Sequence, residues 1–289
     1  MIRLAVGRVG RSGRVDLLEK RVEVARVGEG VGRTGRLARA PLERAIRVLR
    51  RFRSIAASHG AGLPQVVATA AFRQAANRAA AVRSIERRTG LSVEIIDGDR
   101  EARLALAGIR TLAPRARKIA LIDVGGASTE LVVATRRHVV AESFPIGVIA
   151  LAERGTREAS FADAAARAFA ASRIRAPRGA PCFAAGGAAL AFAAWRDGAR
   201  YLQFGGGSTT LSVDGLARLA RRFASVTKSV AARRLGIATD HARLIEPGHA
   251  ILVAAMRSLR VARVRPTDRG VAEGLLAELL SGRTRGVHR

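Results

Sequence analysis

Short strand patterns and helix patterns alternate along the whole chain, and the alternation runs through twice. Residues 2–6 and 21–27 read as strands, with a basic, glycine-containing turn at 8–14 and a short apolar piece between them. Pro41 then opens a helix. Leu42, Ala45, Ile46, Leu49, Phe52 and Ile55 fall on one face at helical spacing, and Gly60 ends it. Residues 65–69 read as a short buried strand. Residues 77–89 read as a helix with Asn77 at its cap and Gly90 as its stop. A strand at 92–96 and a helix beginning at Asp99 and running to 110 complete the first pass. The second pass opens with strands at 118–123, 129–134 and 138–144. A helix at 161–174, a strand at 181–185 and a small-residue helix after Gly187 follow. Helices over 213–235 and 247–259, a strand at 261–265 and a helix at 270–280 close the chain.

Such an alternation predicts an α/β protein with mixed sheets flanked by helices. The basic, uncommitted stretch 114–117 marks a boundary, giving a first domain at residues 1–114 and a second at 115–289. The two halves share an order of elements rather than a sequence. The second opens with one strand more than the first, so the first is expected to lack its opening strand. A cleft between two such domains is the default ligand site.

Composition narrows the function. At 289 residues and 48% apolar the chain has material for two cores, and its 26% charged residues are ordinary, so disorder is excluded as the main state. One cysteine, Cys182, excludes a disulfide framework and a cysteine-based zinc site, and its scarcity fits a reducing compartment. The 51 basic residues against 23 acidic ones leave a formal charge of +28, almost all of it arginine: the lysines are Lys20, Lys118 and Lys228. A field this positive attracts polyanions: nucleic acid, polyphosphate, anionic membranes or nucleotides. Because the basic residues are spread along the chain, a general field or a solvated surface is expected rather than a disordered arm. Aromatics at 4% leave few stacking platforms, which disfavours specific nucleic-acid binding. The longest apolar stretch, 182–195, falls short of the ~20 residues of a membrane span. No signal peptide is visible, so the expectation is a cytoplasmic protein without membrane contact.

The sharpest motif is Ile122-Asp123-Val124-Gly125-Gly126-Ala127-Ser128-Thr129-Glu130. An apolar strand delivers Asp123 to its end, glycines turn the chain with amides exposed, and a second apolar strand returns. Such a turn can present amides, with the hydroxyls of Ser128 and Thr129, to phosphate oxygens. Asp123 and Glu130 flank it and could hold Mg²⁺ directly or through water. An ordinary glycine hairpin with a turn aspartate has the same pattern. Glu101 lies in the first turn of a predicted helix beside Asp97 and Asp99, where acids commonly serve the dipole and the cap. Arg73, between a strand and a helix, could clamp a phosphate or be one more solvated arginine. Gly186-Gly187 could line a ligand or simply allow close helix packing.

The turn resembles the D-x-G-G-G-S-T-E signature of the exopolyphosphatase and guanosine pentaphosphate phosphohydrolase family. Further stretches match that family in order: Val67-Ala68-Thr69-Ala70-Ala71-Phe72-Arg73-Gln74-Ala75-Ala76-Asn77-Arg78, Glu94-Ile95-Ile96-Asp97-Gly98-Asp99-Arg100-Glu101-Ala102-Arg103-Leu104, Phe144-Pro145-Ile146-Gly147, and Thr267-Asp268-Arg269-Gly270 with Glu273-Gly274. The resemblance covers nearly the whole chain. It implies two actin-like, ribonuclease-H-like domains and hydrolysis of inorganic polyphosphate or guanosine pentaphosphate. By the same resemblance Glu101 is the general base and Arg73, Gly125, Gly126, Ala127, Ser128, Thr129, Gly186 and Gly187 bind phosphate. Asp123 and Glu130 would hold Mg²⁺. A homodimer is left open.

Departures bear on activity. Met1-Ile2-Arg3-Leu4 corresponds to the strand after the family's first phosphate loop, D-x-G-T-N-S, so that strand and loop are expected to be missing. Ala127, Ala188 and Ala272 replace the usual glycine, threonine and arginine. An alternative is therefore a degenerate family member that binds polyanions without efficient hydrolysis. Gly205-Gly206-Gly207-Ser208-Thr209 imitates the turn, but Phe204 and Thr210 stand where the acids would, so a flexible loop is expected. His59, His138, His241, His249 and His288 share no metal spacing.

Overall fold

The structure, a computed structural model, describes residues 1–10, 15–153, 158–201 and 209–286. The glycine run at 205–207, Ser208 and His288 lie outside these residues. By contact the chain divides into two compact units. One is Met1–Thr111 together with the chain from Val271 onward, and the other is Leu112–Gly270.

The first unit begins with β1 (Ile2–Val9) and β2 (Val15–Glu23), an antiparallel ladder with a register shift between Val6 and Gly7. The second strand lies earlier than residues 21–27. Its first four residues are exposed, so burial imposes no period-two pattern that would mark them. After α1 (Val31–Thr34), α2 (Arg39–Ser58) buries Ala45, Ile46, Leu49 and Phe52 of the predicted stripe and Ala56 beside it, leaves Leu42 and Ile55 half-buried, and carries Pro41 in its first turn. Next come β3 (Val66–Ala68), a five-residue α3 (Ala70–Gln74) that the pattern did not mark, α4 (Arg78–Thr89), β4 (Val93–Ile95) and α5 (Gly98–Arg110). β3 and β4 pair in parallel as a second ladder.

Two capping expectations are corrected. The Asn77 side chain does not cap α4. Its Oδ1 accepts from Leu37 N at 2.8 Å and its Nδ2 donates to Leu37 O at 3.0 Å, which ties down the loop after α1. At α5 the cap is Asp97, whose Oδ1 accepts from Arg100 N at 2.7 Å, so the helix starts before Asp99.

The last helix, α13 (Val271–Gly286), packs in the first unit against α5 and β1, where chain order alone placed it in the second. Leu275 joins Ile96 and Leu104 in a buried cluster, and Lys20 pairs with Glu273 at 2.8 Å. Gly274 crosses the Leu104 carbonyl so closely that a Cβ there would overlap it.

The second unit runs β5 (Ile119–Val124), β6 (Thr129–Ala134), β7 (Val139–Phe144), α6 (Val148–Glu153), α7 (Glu158–Phe169), β8 (Cys182–Gly186) and α8 (Gly187–Asp197). It continues with β9 (Leu211–Ser212), α9 (Val213–Ala224), α10 (Lys228–Leu235), α11 (Thr239–Ala242), α12 (Ile245–Leu259) and β10 (Arg263–Thr267). The predicted helix over 213–235 is two helices. Thr227 starts the second, its hydroxyl accepting from Val230 N at 3.3 Å. The strands form one sheet in the order β7-β6-β5-β8-β10-β9, and a single apolar cluster spans its helices.

The units differ in their sheets. In the second, β5 is central, antiparallel to β6 and parallel to β8. In the first, the antiparallel pair β1-β2 and the parallel pair β3-β4 are separate ladders among the described residues. No described helix is long and apolar enough to cross a membrane.

Candidate active site

The turn between β5 and β6 is closed by Gly125 N donating to Ser128 O at 2.9 Å. Its carbonyls are taken by the start of α6: Val148 N donates to Gly125 O at 3.0 Å and Ile149 N to Gly126 O at 2.9 Å. With the carbonyls turned to α6, the amides of Gly126, Ala127 and Ser128 have no hydrogen-bond partner among the described residues. They are the donors this turn can offer an anion. Gly147 holds the turn in place. A Cβ on it would overlap Gly126 and lie 2.5 Å from Ala127 N.

The turn's side chains face inward. Thr129 is fully buried and donates its hydroxyl to Ile146 O at 2.6 Å. Ser128 donates to Glu130 Oε1 at 2.6 Å, and Ser143 donates to the same oxygen at 2.9 Å. Both hydroxyls named in the sequence as phosphate donors therefore brace the turn. Asp123 stands opposite Glu130 in the ladder, which puts both carboxylates on one face of the sheet. Asp123 is half-buried and Glu130 fully buried. No cluster of three or more metal-ligating His, Cys, Asp or Glu occurs among the described residues.

Gly186 and Gly187 sit beside this turn. Gly186 pairs with Val124 across the parallel β5–β8 ladder, at φ 103°, with no room for a Cβ against the Val124 carbonyl. Gly187 begins α8. A structural reason for Ala188 appears here: a Cβ on Gly248 of α12 would come within 2.5 Å of its methyl, so the two helices meet at small residues. The loop before α13 also reaches the strand end, since a Cβ on Gly270 would lie 3.9 Å from Asp123 Oδ2.

The first unit brings two distant candidates together. Arg73 Nη1, in α3, donates to Glu101 Oε2 at 2.7 Å and to Ile96 O at 2.8 Å. Glu101 is 8% exposed, in the first turn of α5. The N-cap of that helix is Asp97, whose carboxylate accepts from Arg100 N, so Glu101 is not the capping residue. A buried carboxylate needs a charge partner, and here it touches a guanidinium rather than another acid.

Other nucleophile candidates fall away. Burial pushes the Cys182 thiol up to about 12, which removes the thiolate needed for attack. Burial also holds His249 below its ordinary value, inside the second unit's core against Phe192. Ser143 and Gly147 carry the geometry of the turn. Of these, Gly147 had a sequence signal, inside Phe144-Pro145-Ile146-Gly147.

The sheet orders and the glycine turn at the end of β5 define an α/β protein of the actin-like class. Residues 8–282 match the family model described as Ppx/GppA phosphatase family, and the chain belongs to that family. Exopolyphosphatase 2 of Mycobacterium tuberculosis is 30% identical over 168 residues, 53% of this chain and 51% of the relative. The chain thus spans about half the length of the curated relatives it matches. The crystal structure of an exopolyphosphatase from Cytophaga hutchinsonii shares the fold at TM-score 0.81 and 20% identity, covering 97% of this chain and 98% of that one. The Ppx/GppA family member of Aquifex aeolicus gives 0.75 at 21% identity, with 98% of each chain covered.

Proposed function

We propose that this chain is a phosphoanhydride hydrolase that releases terminal phosphate from inorganic polyphosphate or guanosine pentaphosphate. The observation that carries the reading is the Arg73–Glu101 contact, a buried carboxylate held by a guanidinium in the first turn of a helix. Glu101 takes the proton of the attacking water as its oxygen bonds the terminal phosphorus. The bridging oxygen leaves on the shortened chain. Arg73 has its remaining N–H groups for a phosphate oxygen, and the amides of Gly126, Ala127 and Ser128 offer a second, uncharged cradle.

The donor set at the β5–β6 turn fits Mg²⁺. It is all oxygen, with two carboxylates on one sheet face, and Mg²⁺ is typically held by one or two carboxylates with water and substrate phosphates completing the shell. Asp123 is the more exposed of the pair, and Glu130 is fixed by two hydroxyls. When bound there, the ion would neutralise charge on the phosphate chain. The +28 field of the protein favours the same polyanions.

Glu101→Gln is the direct test. It keeps the volume and removes the base, so phosphate release should fall by ~10²–10⁴ while polyphosphate binding stays within a few-fold. Unchanged release would sink the assignment, and a joint loss of binding and release would make Glu101 structural. A second reading, binding without efficient hydrolysis, is favoured by the two separate ladders of the first unit. It predicts wild-type binding with little phosphate release.

A further inference from the structure

Two stretches of the first unit carry arginine and no acid. Residues 31–42 hold Arg33, Arg36 and Arg39; residues 70–85 hold Arg73, Arg78 and Arg83. The fold lays them side by side. Ala76 N donates to Gly35 O at 2.8 Å, and Leu37 is bonded through both its backbone groups to the Asn77 side chain. Gly28 leads into the same seam, where a Cβ on it would lie 3.1 Å from the Ala71 methyl.

The loop is ordered by its own bonds. Thr34 Oγ1 donates to Gly30 O at 2.8 Å and accepts from Arg36 N at 3.2 Å, and Gly35, at φ 64°, ends α1 with its N–H on Val31 O. Arg33, Arg36, Arg39, Arg78 and Arg83 are all exposed, and none has an ion pair or side-chain hydrogen bond among the described residues. Glu43, the next acid along α2, is already held by Arg88 through both oxygens. Arg39 and Arg78 also stand in the first turns of α2 and α4, where the helix dipole disfavours a cation. Four unpaired guanidinium groups, those of Arg33, Arg36, Arg39 and Arg78, thus flank the ordered seam beside the short helix that carries Arg73.

We propose that this strip binds the length of a linear polyphosphate chain that extends away from Arg73. The proposal rests on the hydrolase reading and names its substrate as long-chain polyphosphate. The chemistry of the strip selects that class. Guanidinium groups recognise phosphate oxygens with no need of bases. The only aromatic ring in the two stretches, Phe72, is buried, so the strip has no platform for a guanine or a nucleic-acid base. Polyphosphate consists of nothing but such oxygens, at a repeat that several guanidinium groups can share.

The test compares chain lengths. A variant with Arg33→Gln, Arg36→Gln, Arg39→Gln and Arg78→Gln leaves Arg73 and Glu101 in place. With wild-type protein as reference, KM for long-chain polyphosphate should rise on the order of tenfold or more, since four exposed charge contacts are lost. KM and kcat for tripolyphosphate should stay unchanged, because it is too short to reach the strip. A control variant neutralises four exposed arginines of the second unit, Arg218, Arg221, Arg222 and Arg233, by the same Arg→Gln change. It should leave both substrates unaffected. Equal losses in strip and control variants would mean that only the general field matters, and the proposal fails. It fails too if long-chain KM is unmoved, or if both substrates weaken together. Should wild type release phosphate from neither substrate, the hydrolase reading falls instead. Titration of labelled long-chain polyphosphate into wild type and variant then decides the strip. A variant that loses single-stranded DNA binding while keeping polyphosphate binding would assign the surface to nucleic acid and overturn the proposal.

Discussion

Glu101 and Arg73 lie 28 positions apart and meet at 2.7 Å, so each defines what the other can do. Arg73→Gln should remove this guanidinium from Glu101, and breaking a buried pair from one side costs about 3–5 kcal/mol. Both are partly solvated here, at 23% and 10% side-chain exposure, so the loss should fall at or below the lower end of that range. Chemical denaturation reads the loss, and an unchanged midpoint would show that the contact carries no energy. His249 gives a second prediction at this scale. Burial lowers its pKa from the ordinary 6.5, so the folded state resists protonation. The unfolded chain therefore binds the proton first. The stability His249 contributes is complete above pH 6.5 and declines as pH falls below it. Thermal melts stepped downward from that pH should show a steeper loss in wild type than in His249→Gln. Parallel slopes would place the titrating group elsewhere. The sequence did mark Arg73, Glu101 and the turn residues by motif. It could not show that Ser128 and Thr129 turn their hydroxyls inward, because Ile146 O comes from the loop after β7 and Glu130 Oε1 is held in place by Ser143 of the neighbouring strand.

The turn between β5 and β6 is an element held by others rather than by its own residues. Gly147 presses on it from the loop after β7, and Gly186, at the end of β8, presses on Val124 just before it, each closer than a Cβ allows. Gly147→Ala must push the Gly126–Ala127 peptide outward, at about 1–3 kcal/mol of overpacking. Phosphate release should drop while α5, in the other unit, keeps its hydrogen-exchange protection. A variant with full activity would show that the turn's position is immaterial. Gly274→Ala is the matching case in the first unit, where the new methyl would meet the Leu104 carbonyl. It should destabilise that unit by a similar ~1–3 kcal/mol, read as a lower denaturation midpoint. Helices with an apolar stripe, such as α2, were legible from spacing alone. The edge strand β2 was not, since burial on neither face sets its period, and α13 was placed by chain order when only packing on Leu104 and Ile96 decides where it belongs.

At the scale of the molecule, the two units differ in their sheets: the second has one sheet of six strands, and the first has two separate two-stranded ladders among the described residues. The second unit's β5 joins an antiparallel pair to a parallel pair and is buried along nearly its whole length. The first unit has the same two kinds of pair with nothing described between them. β1 and β3 are also less buried than β5 and β8. Amides inside one continuous buried sheet open together, whereas a two-stranded ladder opens more readily. Hydrogen exchange should therefore be faster at β1 and β3 than at β5 and β8. Equal protection in the two units would mean that the separate ladders of the first are held as firmly as the single sheet of the second.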